Sequence, residues 1–428
     1  MVVATAGRVR AYRKQHLSQF RGVASVTVCK RSFLIRPVIV FLFALMLDLS
    51  GTAATINSRQ LTTRKPRTQI SESARARKHL RTLARSHNPR RYARRRYRRE
   101  RFLTSSFAED SAAGDATDGE DPVVRRAVVD ALGNMNGTVV AIEPTSGRIL
   151  AMVNQKLALS SGAQPCSTIK LSVALAGLNE GLITKETEIK LGRRSRMNLT
   201  EALAHSNNAY FESLGRQLGF EKVSYYAHRY GLGELAGYNI AGEQPGIYPA
   251  DEISSRLGGV GKMCSFGEGI SMTPLQLGAL VSAIANGGTL YYLQHPANPA
   301  EVADFEPRVK RHLDIAPLIP EISDGMAGAV NYGTARSLRV NFGEEEILGK
   351  TGTCSRAGTR FGWFASYANT DVGRIVVVVF LQGGRPTYGP KAAEITGHIY
   401  RNLYDHNFFV NRPPANTAGM KSIGGGAQ

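Results

Sequence analysis

Ile347-Leu-Gly-Lys-Thr-Gly-Thr353, Phe361-Gly-Trp-Phe-Ala-Ser-Tyr367 and Arg374-Ile-Val-Val-Val-Val-Phe-Leu381 follow one another with only short polar turns between them. Apolar runs spaced so closely read as consecutive antiparallel strands. The last is an almost unbroken β-branched run, as expected of a strand covered on both faces. Earlier in the chain, Thr138-Val-Val-Ala-Ile142 and Arg148-Ile-Leu-Ala-Met-Val153 flank Glu143-Pro-Thr-Ser-Gly147, whose Pro and Gly signal a hairpin. Two strands early and three late leave about 190 mostly helical residues between them. Strands that pair in sequence while helices gather elsewhere predict an α+β fold. The expected architecture is a five-stranded antiparallel sheet flanked by helices, with a helical subdomain.

The helical stretch and the first late strand hold three short motifs in a fixed order: Ser167-Thr-Ile-Lys170, Ser206-Asn-Asn208 and Lys350-Thr-Gly352. Pro165 marks a helix start and Gly181 a stop, so Ser167 falls in a first turn with Lys170 three residues on. Residues i and i+3 are neighbours on a helix surface, which brings the amine within reach of the hydroxyl. First-turn amides also leave N–H groups free for whatever Ser167 attacks. A serine hydroxyl is a poor nucleophile without a base. The nine histidines show no triad-like pattern. Lys170 can serve if it is neutral, which requires burial or a nearby cation, and Lys350 is a candidate cation. One lysine is then expected to stay charged and bind an anion while the other gives up its proton. Each motif alone is ordinary: a surface helix pair, a polar break between helices, a strand end. Their order and predicted placement together point to acyl transfer through a serine.

The motif set S-x-x-K, S-x-N and K-T-G resembles that of penicillin-binding proteins and serine β-lactamases. From about residue 136 to residue 404 the chain looks like a penicillin-binding protein transpeptidase domain. Val140-Ala-Ile-Glu-Pro-Thr-Ser-Gly-Arg-Ile-Leu-Ala-Met152 resembles its first hairpin, and Gln164-Pro-Cys-Ser-Thr-Ile-Lys170 its nucleophile block. Gly267-Glu-Gly-Ile-Ser-Met-Thr-Pro-Leu-Gln-Leu277, Ala285-Asn-Gly-Gly288 and Thr387-Tyr-Gly-Pro-Lys-Ala-Ala393 are similar to its later segments. The resemblance implies that Ser167 attacks the penultimate D-Ala carbonyl of a peptidoglycan stem peptide, with Lys170 as base and Ser206 as proton relay. It implies that Asn208 holds a substrate amide or orients Lys170. Lys350, Thr351 and Thr353 would receive the substrate carboxylate on a binding strand that includes Gly352. The backbone N–H groups of Ser167 and Thr353 would form the oxyanion hole. Peptidoglycan stem peptides and β-lactams are the implied ligands, and other cell-wall synthesis proteins the implied partners. No cofactor and no metal are implied. A D,D-carboxypeptidase, a β-lactamase and a non-catalytic wall-binding scaffold are the competing readings. Two departures stand out: Cys166 replaces a customary glycine, and only 35 residues separate Lys170 from Ser206, which implies a trimmed loop. About sixty basic or acidic linker residues also stand where a large N-terminal domain is customary.

The net charge of +20 belongs to the N-terminal arm. Residues 1–36 carry 8 Lys/Arg and no acid, and residues 59–101 carry 17 against Glu72 and Glu100. Residues 102–428 are close to neutral, with 29 basic and 31 acidic side chains. A nucleic-acid reading therefore rests on 59–101 alone, where a solvated tether or a membrane-surface contact is the better expectation. Pro37-Val-Ile-Val-Phe-Leu-Phe-Ala-Leu-Met-Leu47 is an apolar run stopped by Asp48. It fits a cleaved signal core or an uncleaved inner-membrane anchor, and either exports the domain. The expected organisation is a basic and apolar segment over 1–56, a basic then acidic linker over 57–122, a catalytic domain over 123–412 and a tail over 413–428. Cys29, Cys166, Cys264 and Cys354 are too few and scattered for a disulfide framework and read as small buried hydrophobes, with the approach of Cys166 to Cys354 left open.

Overall fold

The computed structural model describes residues 101–370 and 372–411. The apolar run at 37–47, the basic stretch at 59–100 and the tail beyond 411 lie outside the described residues. Among the described residues no helix is long and apolar enough to cross a membrane.

Helix α1 (Pro122–Leu132) begins at Asp121, whose carboxylate accepts the Val123 and Val124 N–H groups. Strands β1 (Gly137–Glu143) and β2 (Arg148–Val153) form the expected hairpin, with Val140 opposite Met152. Helices follow: α2 (Lys170–Asn179), α3 (Leu199–Ala204), α4 (Asn208–Arg229), α5 (Gly259–Phe266), α6 (Pro274–Ala285) and α7 (Ile319–Asn331). Strands β3 (Ile347–Arg356), β4 (Thr359–Ala368) and β5 (Val376–Gly383) then precede the closing helix α8 (Gly389–Asp405). The sheet runs β2-β1-β5-β4-β3 and is antiparallel throughout, as the α+β reading expects.

The alternation of β-strand side chains divides the interior in two. Val376, Val378 and Phe380 face the helical subdomain, together with Trp363, Ile142, Leu171, Leu175 and Val281. Val377, Val379 and Leu381 face the other way, onto Leu132 of α1 and Ile395, Ile399 and Leu403 of α8. That is why β5 has no polar face to show in its sequence. Two blocks that carry the family resemblance prove to be joints. Thr273 and Gln276 form a reciprocal capping box at the start of α6. Asn286 donates to the Pro144 and Thr289 carbonyls, both at 2.7 Å, and so ties the end of α6 to the hairpin turn.

The folded unit begins earlier than the expected boundary at residue 122. Residues 101–121 contain no helix or long strand, yet they are seated on the domain. The Ser106 hydroxyl accepts the Gly384 N–H at 2.8 Å, and Phe107 bridges to Met135. Asp115 accepts the Asn154 and Gln155 N–H groups, both at 2.9 Å. Glu120 accepts the Met152 N–H at 2.8 Å and so satisfies an amide of the sheet-edge strand β2. Both carboxylates pair with Arg125, at 2.9 and 3.2 Å. Composition marks these acids as linker because it cannot see the edge donors they serve.

Candidate active site

Ser167 lies in a 3-10 turn, Cys166–Ile169, that runs directly into α2. The turn faces β3, the edge strand of the sheet. Gly352 makes that approach possible: a Cβ there would stand 2.9 Å from the Pro165 carbonyl oxygen and 3.2 Å from Thr168 Cγ2. His205, Ser206 and Asn207 link α3 to α4, and Asn208 is the first residue of α4. Asn207 caps α4 by accepting the Tyr210 N–H at 3.0 Å, which leaves its two neighbours for other work. Ser206 sits at φ 55°, in the left-handed region sparsely used by residues other than glycine.

The structure gathers the first two motifs around one amine. Lys170 Nζ lies 3.0 Å from Ser167 Oγ, 3.1 Å from Ser206 Oγ, 2.7 Å from the Ser206 carbonyl oxygen and 2.7 Å from Asn208 Oδ1. The Lys170 side chain is fully buried, while Ser167 keeps 8 % of its surface exposed. Burial pushes the Lys170 pKa well below the ordinary lysine range, and the charge of Lys350 pushes it further the same way. Glu212, one turn along α4 from Asn208, opposes the shift.

Lys350 is also fully buried, and its amine donates to the Thr351 carbonyl at 3.1 Å. Desolvation alone lowers its pKa to about 7. The expected division of labour between the lysines is therefore less sharp than the sequence suggests. Burial works against the charged form of Lys350 as well as that of Lys170. The hydroxyls of the third motif are engaged. Thr351 Oγ1 is 2.6 Å from Thr334 Oγ1. Thr353 Oγ1 accepts the Gly389 N–H at 2.8 Å, an unpaired first-turn amide of α8. That bond leaves the Thr353 hydroxyl proton free to donate.

The reading of the cysteines as separate small hydrophobes is corrected for two of them. Cys166 and Cys354 are joined by a disulfide, with Cα atoms 5.5 Å apart. Both fall beside motif residues, and only folding brings positions 188 apart in sequence together. Cys264 remains a free, buried thiol. Sequence reasoning also missed Gln164 and Trp363. The Gln164 carbonyl accepts Trp363 Nε1–H at 3.0 Å, and its side-chain amide donates to the Phe266 carbonyl at 3.1 Å. Gln164 thereby anchors the Ser167 turn to β4 and to the end of α5. Its place three residues before Ser167 was the only available signal.

The profile of the penicillin binding protein transpeptidase domain matches residues 137–404, more than half of the chain. The chain belongs to the penicillin-binding protein transpeptidase domain family. Among curated relatives, the transpeptidase-domain chain is 28 % identical over 316 residues to stage V sporulation protein D of Bacillus subtilis, covering 61 % of this chain and 48 % of the relative. It is 24 % identical over 344 residues to the peptidoglycan D,D-transpeptidase MrdA of Acinetobacter baumannii, covering 63 % and 51 %. The chain thus spans about half the length of the curated relatives it matches. The apo transpeptidase domain of Burkholderia pseudomallei penicillin-binding protein 3 superposes with a TM-score of 0.58 at 20 % identity, over 69 % of this chain and 98 % of that one. A structure of Pseudomonas aeruginosa PBP2 in complex with WCK 5153 gives 0.52 at 22 % identity, over 67 % and 77 %. At these identities the superpositions establish the shared fold, a penicillin-binding protein transpeptidase fold.

Proposed function

We propose that this chain is a serine D,D-transpeptidase that cross-links peptidoglycan stem peptides and is acylated by β-lactams. The observation that carries the reading is the set of contacts around Lys170. The Ser206 carbonyl and Asn208 Oδ1 can only accept, so they take two N–H bonds from the amine. A neutral amine has two such bonds to give, and its lone pair then faces the Ser167 hydroxyl at 3.0 Å. Lys170, neutral through burial and the Lys350 charge, takes the Ser167 proton as Oγ attacks the penultimate D-Ala carbonyl. The developing oxyanion is received by the Ser167 and Thr353 N–H groups, an arrangement worth about 10²–10³ in rate per donor in comparable enzymes. Ser206 Oγ, 3.1 Å from Lys170 Nζ, passes a proton to the departing D-Ala amine. An amine from a neighbouring stem then resolves the ester. Lys350 and Thr353 receive the stem's terminal carboxylate, and that anion holds Lys350 in its charged form.

This activity requires the domain to lie outside the cytoplasm, on the side of the membrane where the wall is cross-linked. A disulfide at the site is in keeping with such an oxidising compartment. The curated relatives matched include proteins named peptidoglycan D,D-transpeptidases. An inner-membrane contact through the N-terminus and docking to other wall-synthesis proteins belong to the same proposal.

The test is labelling of the full chain by a fluorescent penicillin beside Ser167→Ala. Stable label on the wild type and none on the variant is the expected outcome. Label that decays within minutes would assign the chain to the hydrolases instead. A folded wild type that never labels would end the enzyme reading and leave a wall-binding scaffold.

A further inference from the structure

The Cys166–Cys354 disulfide brackets the reacting centre. Cys166 is the residue before Ser167 and Cys354 the residue after Thr353, so the bond joins the flanks of the two amides assigned to the oxyanion. Cys166 is fully buried and sits at φ 53°, a left-handed conformation that glycine adopts freely and an L side chain resists. The N–H of Ser167 belongs to the rigid peptide plane that follows Cys166, so any backbone rotation at Cys166 re-aims that donor. Both sulfurs lie against the Gln164 carbonyl oxygen, at 3.4 and 4.0 Å, where Trp363 also donates. Strand and turn are therefore pressed together at Gly352 and bonded two residues later at Cys354.

We propose that this disulfide is a positioning clasp for acyl transfer: it holds Cys166 in its left-handed conformation, keeps the Ser167 and Thr353 amides converged on one oxyanion site, and makes acylation depend on the oxidised state. The inference rests on the acyl-transfer reading above. Opening the clasp needs a dithiol, which supplies two electrons and two protons, leaves thiols at both positions and becomes a disulfide itself. Cys354 is partly exposed and is the sulfur such a reductant reaches first. Once open, Cys166 relaxes toward negative φ and the Ser167 amide turns out of line.

The experiment measures acylation of the full chain by a fluorescent penicillin against time and concentration, separating the maximal rate from half-saturation. The samples are oxidised wild type, dithiothreitol-treated wild type with its thiols counted, Cys354→Ser, and the double variant Cys166→Gly with Cys354→Ser. Reduction and Cys354→Ser are expected to slow the maximal rate at least about tenfold, with half-saturation moved much less. The double variant should recover to within about threefold of the oxidised wild type, because glycine holds the turn without the bond. A mere fold staple would not be rescued by that glycine, and thermal unfolding of the same samples shows whether each is folded. An unchanged rate after both thiols appear, or a folded double variant as slow as Cys354→Ser, overturns the clasp while leaving the enzyme reading intact. An oxidised wild type that never labels overturns both.

Discussion

Lys170 and Lys350 are both withdrawn from water, and each has its pKa depressed, for partly different reasons. Lys170 is held down by burial and then by Lys350, whereas burial alone acts on Lys350. Under the proposed mechanism their protonation requirements are opposite. Lys170 would accept the Ser167 proton only when neutral, so acylation is expected to rise with pH as it loses its own. Lys350 would attract a carboxylate only when charged, so capture of an anionic acylating agent is expected to fall as pH climbs through about 7. The second-order rate of acylation is expected to trace a bell, with Lys170 on the rising limb and Lys350 on the falling one. Lys350→Met should abolish the falling limb and slow capture about tenfold to a hundredfold at pH 6, in line with a lost charge-assisted bond. A wild-type profile with no descending limb below pH 9 would sink this assignment. The motif spacing makes both lysines legible as candidates. Their pKa values are not legible, because burial belongs to the whole interior and to no residue.

At the level of the element, β3 brings the third motif to the Ser167 turn, and its edge position permits the approach. Gly352 faces Pro165 and Thr168 with no room for a side chain. Gly352→Ala should push the strand off the turn and slow acylation about tenfold or more. Overpacking against Pro165, Thr168 and Trp363 should also cost about 1–3 kcal/mol of stability, so the rate is read on the folded fraction. An unchanged rate in that fraction would show that the glycine serves the fold and not the site. The five strands and the helix starting near Pro165 were readable from periodicity, Pro and Gly. The 3-10 turn at Ser167 was not, because it depends on a left-handed Cys166 that is bonded to a residue far along the chain.

Across the molecule, the irregular segment 101–121 is part of the domain and locks the β2 edge. Asp115 carries two backbone amides and Arg125, with its side chain 3 % exposed. Asp115→Ala removes the acceptor from these donors and weakens the pairing of a half-satisfied Arg125. The expected cost is about 2–4 kcal/mol of stability, read as a lower denaturant midpoint, with the acylation rate of the folded fraction preserved. Loss of rate without loss of stability would instead tie the segment to the site.

The sequence by itself determined the α+β class, the five strands and the order and chemical type of the motif residues, because strand periodicity and short-range helix spacing are local properties of the chain. It did not determine where the domain begins. The acids of 109–121 look like linker until the edge amides they satisfy are in place. Nor did it show that Cys166 and Cys354 meet, or that burial lowers the pKa of Lys350 as well as that of Lys170. Those features depend on contacts between segments far apart in sequence and on water excluded from between them, and only the tertiary structure decides either.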